Sequence, residues 1–216
     1  MNIEALYQLF LKYSFVSTDT RAIKEDSIFF ALKGENFNGN KFAKQALQKG
    51  AAYSVIDNPA FREDERFIVV DDSLTTLQKL ARFHRSTLKI PVIAITGSNG
   101  KTTTKELAHA VLTKKFNASA TKGNLNNHIG VPLSLLEINS KTEIAVIEMG
   151  ANHQGEIATL CNIANPDFGL ITNVGKAHLE GFGGFEGVKK GKGELYKYIA
   201  EKNGTVFINA DNYDLH

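Results

Sequence analysis

Apolar residues in this chain come in short runs separated by polar stretches of helical period, the alternation expected of buried strands joined by amphipathic helices. In the first part the runs fall at 28–32, 53–56 and 67–70, and a helical pattern over 41–49 stops at Gly50. Leu74, Leu77, Leu80 and Ala81 then repeat at helical spacing behind Ser73, a residue suited to cap them, and Pro91 interrupts regular structure before the next run. Further on, strands are expected at 92–96, near Phe116, and at 144–149, 168–174 and 205–209. Helices are expected at 102–115, 132–137, 155–163 and 187–201. This order predicts an α/β protein with a small N-terminal α/β domain, residues 1–82, and a second domain, residues 83–216, whose largely parallel sheet is covered by helices. Ligands of such sheets sit at the carboxyl ends of the strands.

The chemistry is concentrated there. The strand at 92–96 runs into Thr96-Gly97-Ser98-Asn99-Gly100-Lys101-Thr102-Thr103, a glycine-containing turn that opens a helix at a Lys-Thr pair. Glycines let backbone amides face an anion, the helix N-terminus adds its dipole, a lysine meets the β- and γ-phosphates and the next hydroxyl can hold Mg²⁺. Ile95 stands where the long form of this loop would carry glycine, so the loop is a short variant of a P-loop-type cradle. The alternative is an ordinary strand-to-helix turn. Glu148 ends the strand parallel to this one and is suited to hold Mg²⁺ directly or through water, a strand-end surface carboxylate being the alternative. His178 follows the strand at 168–174 and can ligate a second metal, although a lone histidine is more often a solvent or packing residue. Lys189, Lys190 and Lys192 share a helix start and read as a solvated basic face. Gly191 and Gly193 weaken that helix, with close approach to a ligand as one reason, and the Gly181-Phe182-Gly183-Gly184 run reads as conformationally open. The polar loop at 124–132 is a candidate substrate contact or simply a connection.

A net charge of +2 without a basic tract speaks against nucleic acid as the main partner, while 43% hydrophobic residues supply ordinary cores. No apolar stretch approaches a membrane span, and residues 1–11 lack a basic region followed by a long apolar run. Cys161 is the only cysteine, expected to be buried and inert, which fits a reducing, cytoplasmic setting. A monomer is expected.

Taken together, these residues make the chain resemble the Mur ligase family over its whole length. Residues 96–102 resemble the family's ATP loop, and residues 124–132 its Asn-Asn-x-x-Gly-x-Pro segment. Glu148-Met149-Gly150-Ala151-Asn152-His153-Gln154-Gly155-Glu156-Ile157 is the most discriminating match, and Thr18-Asp19-Thr20-Arg21 with residues 29–34 resembles the UDP-substrate domain. Thr20 stands where serine is usual, and Asn38-Gly39-Asn40 where Asp-Gly-His is more common. The resemblance implies ATP-dependent amide synthesis, joining D-alanyl-D-alanine to UDP-N-acetylmuramoyl-tripeptide through an acyl phosphate in peptidoglycan precursor synthesis. It implies that residues 96–103 bind ATP, with Lys101 at the phosphates. Thr102 and Glu148 serve the ATP-bound Mg²⁺, and His178 a second Mg²⁺. Lys192 matches a lysine that becomes a carbamate. Thr20, Arg21 and Asn127 are implied substrate contacts, and Asn209 a contact at the nucleoside end of ATP. The family's third domain has no match here, so the expectation is an N-terminal portion with an incomplete central domain, unable to make the amide unaided. Alternatives are a ligase adding the third stem-peptide residue, a folylpolyglutamate-type ligase, or a nucleotide-binding module or P-loop kinase without ligase chemistry.

Overall fold

The structure, a computed structural model, describes residues 1–215, which divide into two compact units, Met1–His84 and the chain from Arg85 onward. Helix α1 (Ile3–Tyr13) opens the first unit: the Asn2 side chain accepts from the Ala5 N–H, Leu6, Tyr7 and Phe10 bury one stripe, and Ser14 ends the helix in the left-handed region. The reading by apolar runs omits this helix, although its cap and its stripe are both written in the sequence. Then come β1 (Val16–Ser17), β2 (Ser27–Phe30), a hairpin of β3 (Lys33–Gly34) with β4 (Phe37–Asn38), α2 (Ala43–Gln48), β5 (Ala51–Ile56), β6 (Phe67–Val69) and α3 (Ser73–Thr87). Strands β1-β2-β5-β6 form a parallel sheet in that order, with α2 supplying the crossover that parallel β2 and β5 require. All four residues of β2 are buried, as its continuous apolar run implies. Phe29, Ala43, Ala46, Leu47, Ile56 and Phe67 make one core cluster.

The second unit holds β7 (Val92–Thr96), α4 (Lys101–Leu112), β8 (Ala118–Ala120), α5 (Gly130–Leu136), β9 (Ile144–Glu148), α6 (Glu156–Ala164), β10 (Phe168–Ile171), α7 (Leu179–Phe182), α8 (Phe185–Glu201) and β11 (Thr205–Phe207). Its sheet is parallel throughout, in the order β11-β10-β7-β9-β8. The chain leaves β7 for the edge strand β8, returns to β9 beside β7, then crosses to β10 on the other side. The carboxyl end of β7 is therefore a topological switch point, where open α/β sheets bind ligands. Ile95 pairs in register with Glu148, and Thr96 with Ile171, so three strand ends lie side by side there. At the opposite end of the sheet, buried Arg85 donates to the Ala164 and Asn165 carbonyls and to Asp167, whose carboxylate also accepts from the Val92 N–H.

Two expectations are corrected here. The segment at 181–184 is fixed in part: α7 ends at Phe182, which is buried beneath α8, and Gly183 and Gly184 follow it with positive φ. A Cβ at Gly191 would meet the Phe182 ring at 2.4 Å, and one at Gly187 the Phe182 carbonyl oxygen at 1.8 Å. Gly191 thus makes room for an aromatic side chain rather than for a ligand. Nor do the three lysines of α8 form one solvated face: Lys190 is exposed, whereas Lys192 is buried on the stripe of Val188, Leu195 and Ile199. Cys161 is buried as expected, and burial pushes its thiol up to about 12. Among the described residues no helix is long and apolar enough to cross a membrane.

Candidate active site

The loop between β7 and α4 owes its shape to two glycines with positive φ. Gly100 (φ 75°) is the N-cap of α4. Gly97 (φ 144°) passes so close to the segment after β10 that a Cβ would sit 2.0 Å from Thr172 Oγ1. Gly97→Ala is therefore expected to cost about 1–3 kcal/mol of stability, read as a shifted denaturant midpoint of the chain. That neighbouring segment braces the loop. The Ser98 N–H donates to the Asn173 carbonyl at 3.0 Å, and the Ser98 hydroxyl accepts from the Gly175 N–H at 2.9 Å. The Asn99 N–H donates to Asn173 Oδ1, while the Asn99 carbonyl accepts from Thr172 Oγ1 at 2.7 Å and from Asn173 Nδ2 at 3.0 Å. Sequence reasoning missed this role of Thr172 and Asn173. The signal was two hydrogen-bonding side chains at the end of an apolar strand.

Lys101 starts α4 and folds back over the loop, donating from Nζ to the Gly97 carbonyl at 2.8 Å and the Ser98 carbonyl at 3.2 Å. Burial lowers its pKa, and the Glu148 charge works in the opposite direction. Thr102 and Thr103 follow it on the exposed first turn of α4. The Thr96 hydroxyl is spent within the sheet, donating to the Met149 carbonyl at 2.7 Å.

Glu148, at the end of β9, is 1% exposed, which excludes the surface alternative. Its Oε1 accepts from Asn126 Nδ2 at 2.7 Å, but its Oε2 is buried without a hydrogen-bond partner. A buried carboxylate oxygen left unpaired is costly unless a cation or a donor reaches it. Asn126, which the sequence reading passed over, thus orients Glu148. Its neighbour Asn127 is exposed and uses its Oδ1 to accept from the Ile129 and Gly130 N–H groups at the start of α5.

A cleft of about 450 Å³ opens at these strand ends, lined by Lys101, Asn126, Asn127, Glu156 and His178 among others. His178 takes a left-handed conformation (φ 54°) at the N-cap of α7. Lys192 reaches the same wall from α8, donating from Nζ to the Ala151 carbonyl at 3.2 Å and lying 5.1 Å from the centre of the Phe182 ring. Its pKa is brought down to about 8, first by burial and then by the positive charge of Lys101, with Glu156 and Glu194 acting against both. Neither carboxylate is free. Glu194 accepts from the Gly155 and Ala158 N–H groups at the head of α6, and Glu156 from those of Asn152 and His153. Asn209 is not brought to this cleft; it is exposed after β11, its side chain accepting from the Asp211 N–H.

In the first unit, Thr20, Arg21, Phe37, Phe42 and Lys49 line a separate cleft of about 580 Å³. Arg21 grips Asp19 at 2.7 Å, which holds that carboxyl down at about 2, and Lys49 Nζ donates to the Thr20 carbonyl at 2.9 Å. The Phe37 and Phe42 rings stack 5.4 Å apart and are both part-exposed. Asn40, by contrast, is buried and exchanges hydrogen bonds with Asp57, a role in the fold.

The family model for the Mur ligase middle domain matches residues 95–215, and that for the Mur ligase family catalytic domain matches residues 12–85. The UDP-N-acetylmuramoyl-tripeptide–D-alanyl-D-alanine ligase of Bacillus subtilis (strain 168) is 44% identical over 195 residues, 89% of this chain and 43% of that protein. The enzyme of the same name from Escherichia coli (strain K12) is 44% identical over 199 residues, 92% of this chain and 44% of that one. A solved structure of MurF from Acinetobacter baumannii superposes with a TM-score of 0.80 at 38% identity, covering 88% of this chain and 42% of that one. The MurF ligase from Thermotoga maritima in complex with ADP gives 0.79 at 38% identity, covering 87% and 44%. The chain thus spans less than half the length of the relatives it matches. Because the middle-domain match takes in the glycine loop, Glu148 and Lys192 together, the chain belongs to the Mur ligase family.

Proposed function

We propose that this chain carries the ATP-binding and UDP-substrate-binding parts of a ligase that joins D-alanyl-D-alanine to UDP-N-acetylmuramoyl-tripeptide. The observation that carries the reading is the unpaired, buried Glu148 Oε2 beside the Lys101 loop, a cation-seeking oxygen next to an anion-seeking cradle. It is supported by the relatives of that name at 44% identity and by the neighbour solved with ADP.

The amides at the head of α4 and Lys101 would bind the ATP phosphates, the Ser98 and Asn99 N–H groups being given to Asn173. The tripeptide's terminal carboxylate oxygen attacks the γ-phosphorus and ADP leaves, giving an acyl phosphate. The dipeptide's amine then adds to the acyl carbon, loses a proton, and phosphate departs from the tetrahedral intermediate. Lys101 offsets charge on the transferring group, so this loop contributes by positioning and electrostatics. Glu148 and the Thr102 hydroxyl fit Mg²⁺. Among the described residues no three His, Cys, Asp or Glu side chains form a metal cluster. When bound there, Mg²⁺ supplies Lewis-acid neutralisation of phosphate charge. His178, on the same cleft, is the proposed ligand of a second Mg²⁺. Lys192 is proposed to work as a carbamate, and Asn127 to contact the tripeptide. In the first unit, the Thr20–Arg21 cleft with its cationic Lys49 and aromatic Phe37–Phe42 pair suits a uridine diphosphate.

Glu148→Gln, which keeps the shape and removes the charge, is expected to raise the Mg²⁺ concentration for half-maximal ATP turnover by about ten-fold or more. An unchanged Mg²⁺ titration would remove Glu148 from the metal site. The acceptor is tested by mass spectrometry of the products of an enzyme of the relatives' length carrying this chain. A pentapeptide product should require D-alanyl-D-alanine, and transfer of a single amino acid, to the nucleotide substrate or to a folate, would overturn the assignment.

A further inference from the structure

Helix α4 is inverted in polarity: Leu107 and Val111 are 64% and 71% exposed, whereas Lys105 is completely buried. Burying an ammonium costs several kcal/mol in desolvation, so its partners matter. Its Nζ donates to Glu106 Oε1 and, at 2.7 Å, to the Thr121 carbonyl just beyond the end of β8. The Thr121 N–H donates to the Val146 carbonyl at 3.0 Å, and a regular parallel ladder would return the next bond from the Glu148 N–H to the Thr121 carbonyl. That bond is diverted. The carbonyl turns to Lys105, and the Glu148 N–H donates instead to Thr121 Oγ1 at 3.0 Å. The ladder is thus broken at the residue whose carboxylate ends in the orphaned oxygen.

We infer that Lys105 is a positioning residue for the metal-binding carboxylate: by drawing the Thr121 carbonyl toward its ammonium it turns that oxygen out of line with the Glu148 N–H, which bonds the Thr121 hydroxyl instead, and so sets where the Glu148 side chain leaves β9. The inference rests on the nucleotide-site reading of this cleft. Without the ammonium, the Thr121 carbonyl is free to re-form the ladder bond with Glu148, which heals the strand pair and moves the carboxylate.

The test is binding of a fluorescent ADP analogue to the protein, with and without Mg²⁺, for Lys105→Met and Thr121→Val, paired with thermal unfolding. Methionine keeps the apolar stem but leaves the buried Thr121 carbonyl without its ammonium donor, so the metal readout is taken from variants shown by thermal unfolding to be folded. Both variants should bind metal-free ADP within about two-fold of the unaltered protein while requiring about ten-fold more Mg²⁺ to reach the metal-enhanced affinity. An unchanged Mg²⁺ midpoint in either folded variant, or equal loss of ADP affinity with and without metal, would overturn the inference and leave Lys105 a part of the fold. Should Lys105→Met fail to fold, Thr121→Val, which removes one hydroxyl at constant shape, decides alone. No ADP binding by the unaltered protein would instead overturn the nucleotide reading, and this inference with it.

Discussion

Replacing Lys101 by alanine is expected to lower ATP turnover by about two to three orders of magnitude while leaving the fold intact. In this structure the ammonium is held over the glycine loop by the Gly97 and Ser98 carbonyls, where phosphates entering the cradle would compete for it. The lysine is half-buried, and desolvation works against its charge, so removing it relieves a cost within the protein. The melting temperature should therefore hold or rise as turnover collapses, and that opposition of signs separates a phosphate-binding role from a structural one. The assay is steady-state ADP release by an enzyme of the relatives' length carrying this chain, in the presence of the nucleotide-linked tripeptide and the dipeptide acceptor. Turnover near that of the parent would mean that the loop after β7 is not the phosphoryl-transfer site.

What the sequence makes legible follows from burial. Strands β2, β7 and β9 are continuous apolar runs because they are buried on both faces, and a glycine loop between β7 and a helix specifies its own geometry. Side chains whose role depends on tertiary partners are less readable. Asn126 and Asn127 are adjacent and chemically identical, yet one donates to Glu148 and the other accepts from the Ile129 and Gly130 N–H groups, a division set by the loop backbone that points them apart. Lys105 is not singled out by the sequence, because its burial comes from the Thr121 carbonyl placed against it by the sheet. Lys192 was recoverable in principle, since it falls three or four residues from Val188, Leu195 and, one turn further, Ile199 on the 3.6-residue period. Its grouping with Lys189 and Lys190 came from proximity in sequence, which on a helix is not proximity in space.

Lys192 gives the second large effect, because its burial changes which protonation state is accessible. Carbamate formation consumes a neutral amine and CO₂ and releases a proton, so it is favoured where the amine is deprotonated. An ordinary lysine is almost wholly ammonium near neutrality, whereas here burial and the Lys101 charge bring the pKa down to about 8. The sign follows: the neutral fraction rises as pH passes through 8 rather than beyond 10. Enzyme depleted of CO₂ should lose activity, and bicarbonate should restore it to an extent that grows between about pH 7 and 9. Lys192→Ala should lose about a hundred-fold in turnover and be partly rescued by short carboxylates that supply the missing anion. Lys192→Arg should stay inactive, since a guanidinium cannot be carbamylated and restores only the cation. A ¹³C resonance from labelled CO₂, present in the parent and absent from Lys192→Ala, reads the modification without reference to turnover. Glu156 and Glu194 do not supply the anion in its place, because both are committed to backbone N–H groups around the head of α6. Full activity of Lys192→Arg would show that the cleft needs a cation at this position, and the carbamate would have no part in the chemistry.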